Sequence, residues 1–181
     1  MYFGINIDNL KITLDSKGRI YEPKCCSIRQ EKSYHITFLY LSEKFDNNPD
    51  LVNIIQNIVI DNFGQNHKLL YNSTDLFKRF IVLKYQSKTL SEVYEKIYNE
   101  VLNLLQQEKY KEYINDFVSR NNPVLNTHIT IYAINTPSEI YCNRTYYKTK
   151  LELLNMMYKN AAPHIHNIPS SIEISKIKLM K

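Results

Sequence analysis

The chain has 181 residues, 44% of them hydrophobic and 23% charged, with a net charge of +5. That is enough apolar material for one well-cored domain, or for two small lobes sharing a sheet, and ordinary for a globular protein. The positive charge suits an anionic ligand without naming one, and there is no Lys/Arg block of the kind that marks a nucleic-acid tail.

From the N-terminus, Tyr2 to Leu14 alternates as one or two strands, and Asp15-Ser16-Lys17-Gly18 is a turn signal. A strand is expected at about Tyr34 to Leu41. Asn47-Asn48-Pro49-Asp50 caps a helix whose Leu51, Ile54, Ile55, Ile58 and Val59 fall at helical spacing, with Gly64 as its stop. His67 falls in a polar Gln-Asn-His-Lys segment that reads as solvated loop. An Ile-Val-Leu strand follows at Phe80 to Tyr85. Thr89, Leu90 and Ser91 then start a long helix with one apolar stripe (Leu90, Val93, Tyr94, Ile97, Val101, Leu104, Leu105). Lys109 to Arg120, polar and Tyr-rich, extends it or connects two lobes, and Asn121-Asn122-Pro123 breaks the run before a strand at about Asn126 to Ile134. Lys148 to Lys159 reads as a helix, and Ile172 to Met180 as a closing strand bounded by Pro169. The order is β-β-α-β-α-β-α-β, an α+β pattern.

Met1 to Asp8 lacks a basic region followed by an apolar stretch, so no signal peptide is expected. No run approaches the roughly 18 apolar residues of a membrane span. Cys25, Cys26 and Cys142 have neither a disulfide nor a zinc spacing, which points to reduced thiols and a cytoplasmic location. The Asn72-Ser73-Thr74 and Asn143-Arg144-Thr145 sequons are then chance matches. Abundant Asn, Ile, Lys and Tyr with no Trp and 3 Gly reflect an AT-rich coding genome, viral or protist.

The most informative feature is a repeated phrase, Tyr34-His35-Ile36-Thr37-Phe38 and Thr127-His128-Ile129-Thr130-Ile131. Strand side chains alternate faces, so His35 and Thr37 share one face, as do His128, Thr130 and Tyr132. Polar pairs on an otherwise apolar strand need a partner or a purpose. The plainer reading is two core histidines bonded to their neighbouring threonines. The functional reading is acid–base chemistry, because an imidazole with a pKa near 6.5 can take a proton at neutral pH while a second one gives one up. Either reading is open for Tyr132, which would stack on a base or pack as core.

The two His-x-Thr tripeptides, each inside an apolar strand and half a chain apart, resemble those of the 2H phosphoesterase superfamily. That resemblance implies a bilobal α+β fold over residues 1–181: two pseudo-symmetric lobes of antiparallel sheet, helices packed outside, and a central cleft. It implies His35 and His128 as acid and base, with Thr37 and Thr130 donating to non-bridging phosphate oxygens, and no metal or cofactor. The implied substrate is a small nucleotide or short RNA-like phosphodiester, and neither DNA nor membrane. A monomer is expected. Among substrates, a 2′-5′ oligoadenylate or cyclic oligonucleotide messenger ranks above a 2′,3′-cyclic phosphate end, since no RNA-binding module or basic tail is seen. With the AT-rich composition this implies a viral enzyme that removes a messenger of host immunity. A nucleotide-binding module without turnover is the competing class, and intact histidines and threonines weigh against it.

Other residues carry weaker signals. Tyr2 and Phe3 are placed to line a cleft. Lys84, Arg144, Lys148 and Lys176 are phosphate-partner candidates, each also readable as solubilising surface charge. His164-Ile165-His166 lacks acidic or thiol neighbours in the sequence, so a metal is not expected there. Nothing places Cys25 or Cys142 beside an imidazole as a thiol nucleophile.

Overall fold

The apolar alternation resolves into two main antiparallel sheets in the computed structural model, which describes residues 1–8, 10–20, 26–64, 66–136, 141–142, 145–146 and 150–180. In chain order the elements are β1 Tyr2–Asn6, β2 Thr13–Leu14, α1 Ser16–Ile20, β3 Ser27–Gln30, β4 His35–Tyr40, α2 Pro49–Phe63, β5 His67–Phe77, β6 Phe80–Gln86 and α3 Lys88–Leu105. There follow α4 Ile114–Arg120, β7 His128–Asn135, β8 Tyr141–Cys142, β9 Thr145–Tyr146, α5 Lys150–Ala161, β10 Ile165–His166, β11 Ser171–Ile174 and β12 Lys178–Met180. One sheet has the order β12-β1-β4 and the other β11-β5-β6-β7-β3. The two repeated phrases therefore lie in different sheets, and β4 packs against β7.

The ends of α2 follow the sequence signals. Asn48 accepts from Leu51 N at 3.1 Å with Pro49 in the first turn, and Gly64 (φ 69°) ends α2. α3 begins at Lys88, one residue ahead of the expected Thr89, because Ser87 accepts from Leu90 N. Both helices press on the back of the first motif strand. Phe38 meets Phe63 of α2 and Tyr94 of α3 edge-on, with centroids at 5.8 and 5.1 Å.

Four readings of the sequence are corrected. Asp15-Ser16-Lys17-Gly18 is a helix start rather than a turn, because Asp15 Oδ1 accepts from Gly18 N at 3.0 Å. His67 is buried, not solvated. Its Nε2–H donates to the Phe63 carbonyl at 2.7 Å, satisfying the end of α2. The closing strand is two strands in different sheets, β11 on β5 and β12 on β1, so Ser175 to Ile177 crosses from one sheet to the other. The polar-looking stretch before Asn121 buries Tyr110, Tyr113 and Phe117. Of the remaining candidates, Cys25, Arg144 and Lys148 lie outside the described residues.

β4 is an edge strand, and its far end is held by one side chain. Asn121 is buried, accepts from Tyr40 N at 2.8 Å, and donates to the carbonyls of Tyr40 (2.9 Å) and Phe117 (3.0 Å). The amide thus imitates the strand partner that the edge lacks. Asn121→Ala should cost about 1–3 kcal/mol by leaving buried backbone groups unpaired. The check is the midpoint of urea unfolding at unchanged slope.

Candidate functional site

The pairing registers explain how two similar phrases present the same chemistry. On β4 the partners are Asn6↔His35, Ile5↔Ile36 and Gly4↔Thr37, and then Phe3↔Leu39, so Phe38 has no partner. On β7 they are Lys84↔His128, Leu83↔Ile129 and Val82↔Thr130, and then Ile81↔Tyr132, so Ile131 has none. In both strands the extra residue comes directly after the threonine. Paired residues share a face and chain neighbours do not, so each shift turns the second residue after the threonine to the opposite face. Phe38 and Leu39 accordingly both face the core, as do Ile131 and Tyr132.

The four motif residues are left on the open side. His35, His128 and Thr130 are half-buried and Thr37 is exposed. The reading of both histidines as core residues bonded to their own threonines is thereby set aside. Tyr132 is corrected as well: at 0% exposure it offers no ring face to a ligand, because the shift after Thr130 rotates it inward. Simple alternation, which put it on the site side, counts one residue too few.

Each imidazole is flanked by an aromatic ring. Tyr2 lies 5.5 Å from His35 at 34°, and Phe77, from the end of β5, lies 5.4 Å from His128 at 42°. Phe77 is 43% exposed, leaving ring surface for a ligand. Gly4 makes the Tyr2 position possible, since a Cβ there would sit 2.8 Å from the Tyr2 ring and 2.5 Å from Met180 Sδ. Phe3, by contrast, is core.

The ring nitrogens are not equivalent. His128 Nδ1 lies 3.1 Å from the Asn126 carbonyl oxygen. A carbonyl can only accept, so Nδ1 carries the proton and Nε2 is left for exchange. Burial holds His35 below the usual imidazole range; the Glu31 carboxylate opposes this, and the charge of His128 adds to it. The two imidazoles stand on strands that are in contact.

Among the lysines, Lys84 stands opposite His128 on the same face, but its Nζ donates to Asp75 Oδ2 at 2.6 Å. Lys176 is exposed and outside the strands, whereas Lys178, not singled out from sequence, pairs with Gly4 beside Thr37. Glu31 and Phe77 also escaped the sequence reading, because each reaches the site from a neighbouring segment. Apart from these strands, Asp15, His164 and His166 bring one ligand atom each within 4.8 Å of one another. This supplies the acidic partner that the His-Ile-His stretch lacks in its own neighbourhood.

No protein-family model matches the chain, and no curated protein does. Among solved structures, the chain is similar to the crystal structure of the MHV ns2 PDE domain, with 13% sequence identity, a TM-score of 0.44, and 97% of each chain covered. At that distance the likeness assigns no activity here.

The electrostatics give a test with a defined sign. Removing a positive neighbour favours the protonated form, so His128→Ala should raise the His35 pKa. Glu31→Gln removes the opposing carboxylate and should lower it further. Proton NMR titration of the His35 ring reads both shifts, and a His35 pKa left unchanged by His128→Ala would place the imidazoles apart.

Proposed function

We propose that this chain is a metal-independent phosphodiesterase that cleaves an RNA-like nucleotide messenger, a 2′-5′ oligoadenylate or cyclic oligonucleotide, by paired-histidine acid–base catalysis. The observation that carries the reading is the matched His-x-Thr arrangement, each followed by the same one-residue shift, on two strands in contact. Two imidazoles and two hydroxyls, one of each from either strand, are the groups that transfer of a phosphodiester needs.

The burial of His35 supports its role as base, since it favours the neutral ring. His35 takes the proton of the ribose hydroxyl next to the scissile phosphate, and that oxygen attacks phosphorus from a position already close to it. His128, with Nδ1–H anchored on Asn126, gives its Nε2 proton to the departing oxygen. The products are a cyclic phosphate and a free hydroxyl, with the proton moved from one histidine to the other. Thr37 and Thr130 donate to the non-bridging oxygens, where negative charge builds in the transition state. Acid, base and charge stabiliser are all side chains, so the scheme requires no metal. With Tyr132 in the core, base stacking passes to Phe77 and Tyr2, at about 1–3 kcal/mol per base.

The experiment is turnover of a panel of linear and cyclic 2′-5′ and 3′-5′ oligonucleotides, each with its neighbouring ribose hydroxyl free or methylated. The free-hydroxyl form of at least one should be cut and its methylated form bound but not cut. On that substrate His35→Ala and His128→Ala should each lower kcat by roughly two to four orders of magnitude with unchanged circular dichroism. Either variant turning over at the wild-type rate would refute the scheme. Tight binding without cleavage would move the chain to the class of nucleotide-binding modules.

A further inference from the structure

We propose that Asp15, His164 and His166 form a binding site for a divalent transition-metal ion, zinc by its ligand chemistry, which clasps the N-terminal segment to the C-terminal third of the chain. The site is separate from the paired motifs and independent of the function proposed for them.

The backbone builds it. β2 pairs with β10, placing Leu14 opposite Ile165 and Thr13 opposite His166, and Asp15 N donates to the His164 carbonyl at 3.2 Å. Residues 151 positions apart in the chain are thereby brought side by side. Gly18 allows the close approach, because a Cβ there would lie 2.8 Å from His164 Cβ and 2.6 Å from Leu14 Cδ1. Asp15 Oδ1 is occupied by Gly18 N at 3.0 Å, which leaves Oδ2 directed to the histidines. It lies 3.4 Å from His164 Nδ1 and 3.1 Å from His166 Nε2.

These separations suit a metal. Tetrahedral zinc with bonds of about 2.0–2.1 Å has ligand-to-ligand edges of about 3.3 Å, close to both distances. Two imidazoles and one carboxylate form a donor set that zinc favours, and three protein ligands leave a fourth position. Side-chain exposures of 28% for His164, 36% for Asp15 and 50% for His166 give an ion access from solvent and leave that position to water. Binding would fix α1 against the segment that follows α5, which a two-residue ladder alone holds weakly.

The test is titration of tag-free, chelator-stripped protein with Zn²⁺, followed by calorimetry and by thermal unfolding. The expected result is one equivalent bound with a Tm that rises with zinc concentration. His166→Ala, at a half-exposed position, and Asp15→Asn should each weaken binding by at least about ten-fold and lose the Tm response. The double variant His35→Ala/His128→Ala should keep both, which separates this site from zinc held by the motif imidazoles. The stripped protein should retain its phosphodiester turnover, so failure here and failure of the proposed activity are read separately. Absence of binding, or wild-type affinity in both His166→Ala and Asp15→Asn, would overturn the site.

Discussion

The arrangement of the site depends on a one-residue slip in strand pairing that occurs twice, after Thr37 and after Thr130. A regular strand would continue to alternate, and the residue after next would join the open face. Leu39 and Tyr132 would then stand beside the threonines, and the core would lose two large side chains, each worth about 1.5–3 kcal/mol on burial. The slip lets two successive residues face inward on each strand. It also ends the polar stretch, so that only one histidine and one threonine emerge from each. Because the same constraint acts on both strands, the resulting pairs are alike although their flanking sequences are not.

Two such strands make one site only if they are held together, and several tethers do this. The Asn121 amide fixes the end of β4. Tyr94, from α3, donates to the Asn122 carbonyl at 2.7 Å and so anchors the turn that leads to β7. The segment between β11 and β12 passes from one sheet to the other. With the strands in place, the imidazoles come close enough for their charges to interact. Burial holds one below the usual imidazole range, while the carbonyl of Asn126 orients the other. An acid and a base need this asymmetry, and it arises from ordinary packing.

What was legible in the sequence is what short-range chemistry controls. The cap at Asn48 and the stop at Gly64 set α2, the apolar stripe from Leu90 set α3 to within a residue of its start, and the apolar runs set β4, β6 and β7. The four motif residues were legible because composition within a few positions reveals them. The slip was not, since pairing register is decided by the partner strand, and Tyr132 was misplaced for that reason. His67 read as polar loop because the Phe63 carbonyl that holds it belongs to a helix end. The meeting of Asp15 with His164 and His166 depends on a ladder between distant segments. Phe77 and Glu31 reach the site from adjoining elements, and no spacing rule marks them.

The central claim is that His35 and His128 act together as base and acid, and the pH dependence of kcat/KM tests it most directly. The account predicts a bell for the wild type, since one ring must be neutral while the other is protonated. The limb on the acid side should disappear from the residual activity of His35→Ala, and the limb on the alkaline side from that of His128→Ala. A wild-type profile with a single limb, or variants that keep the full bell, would contradict it.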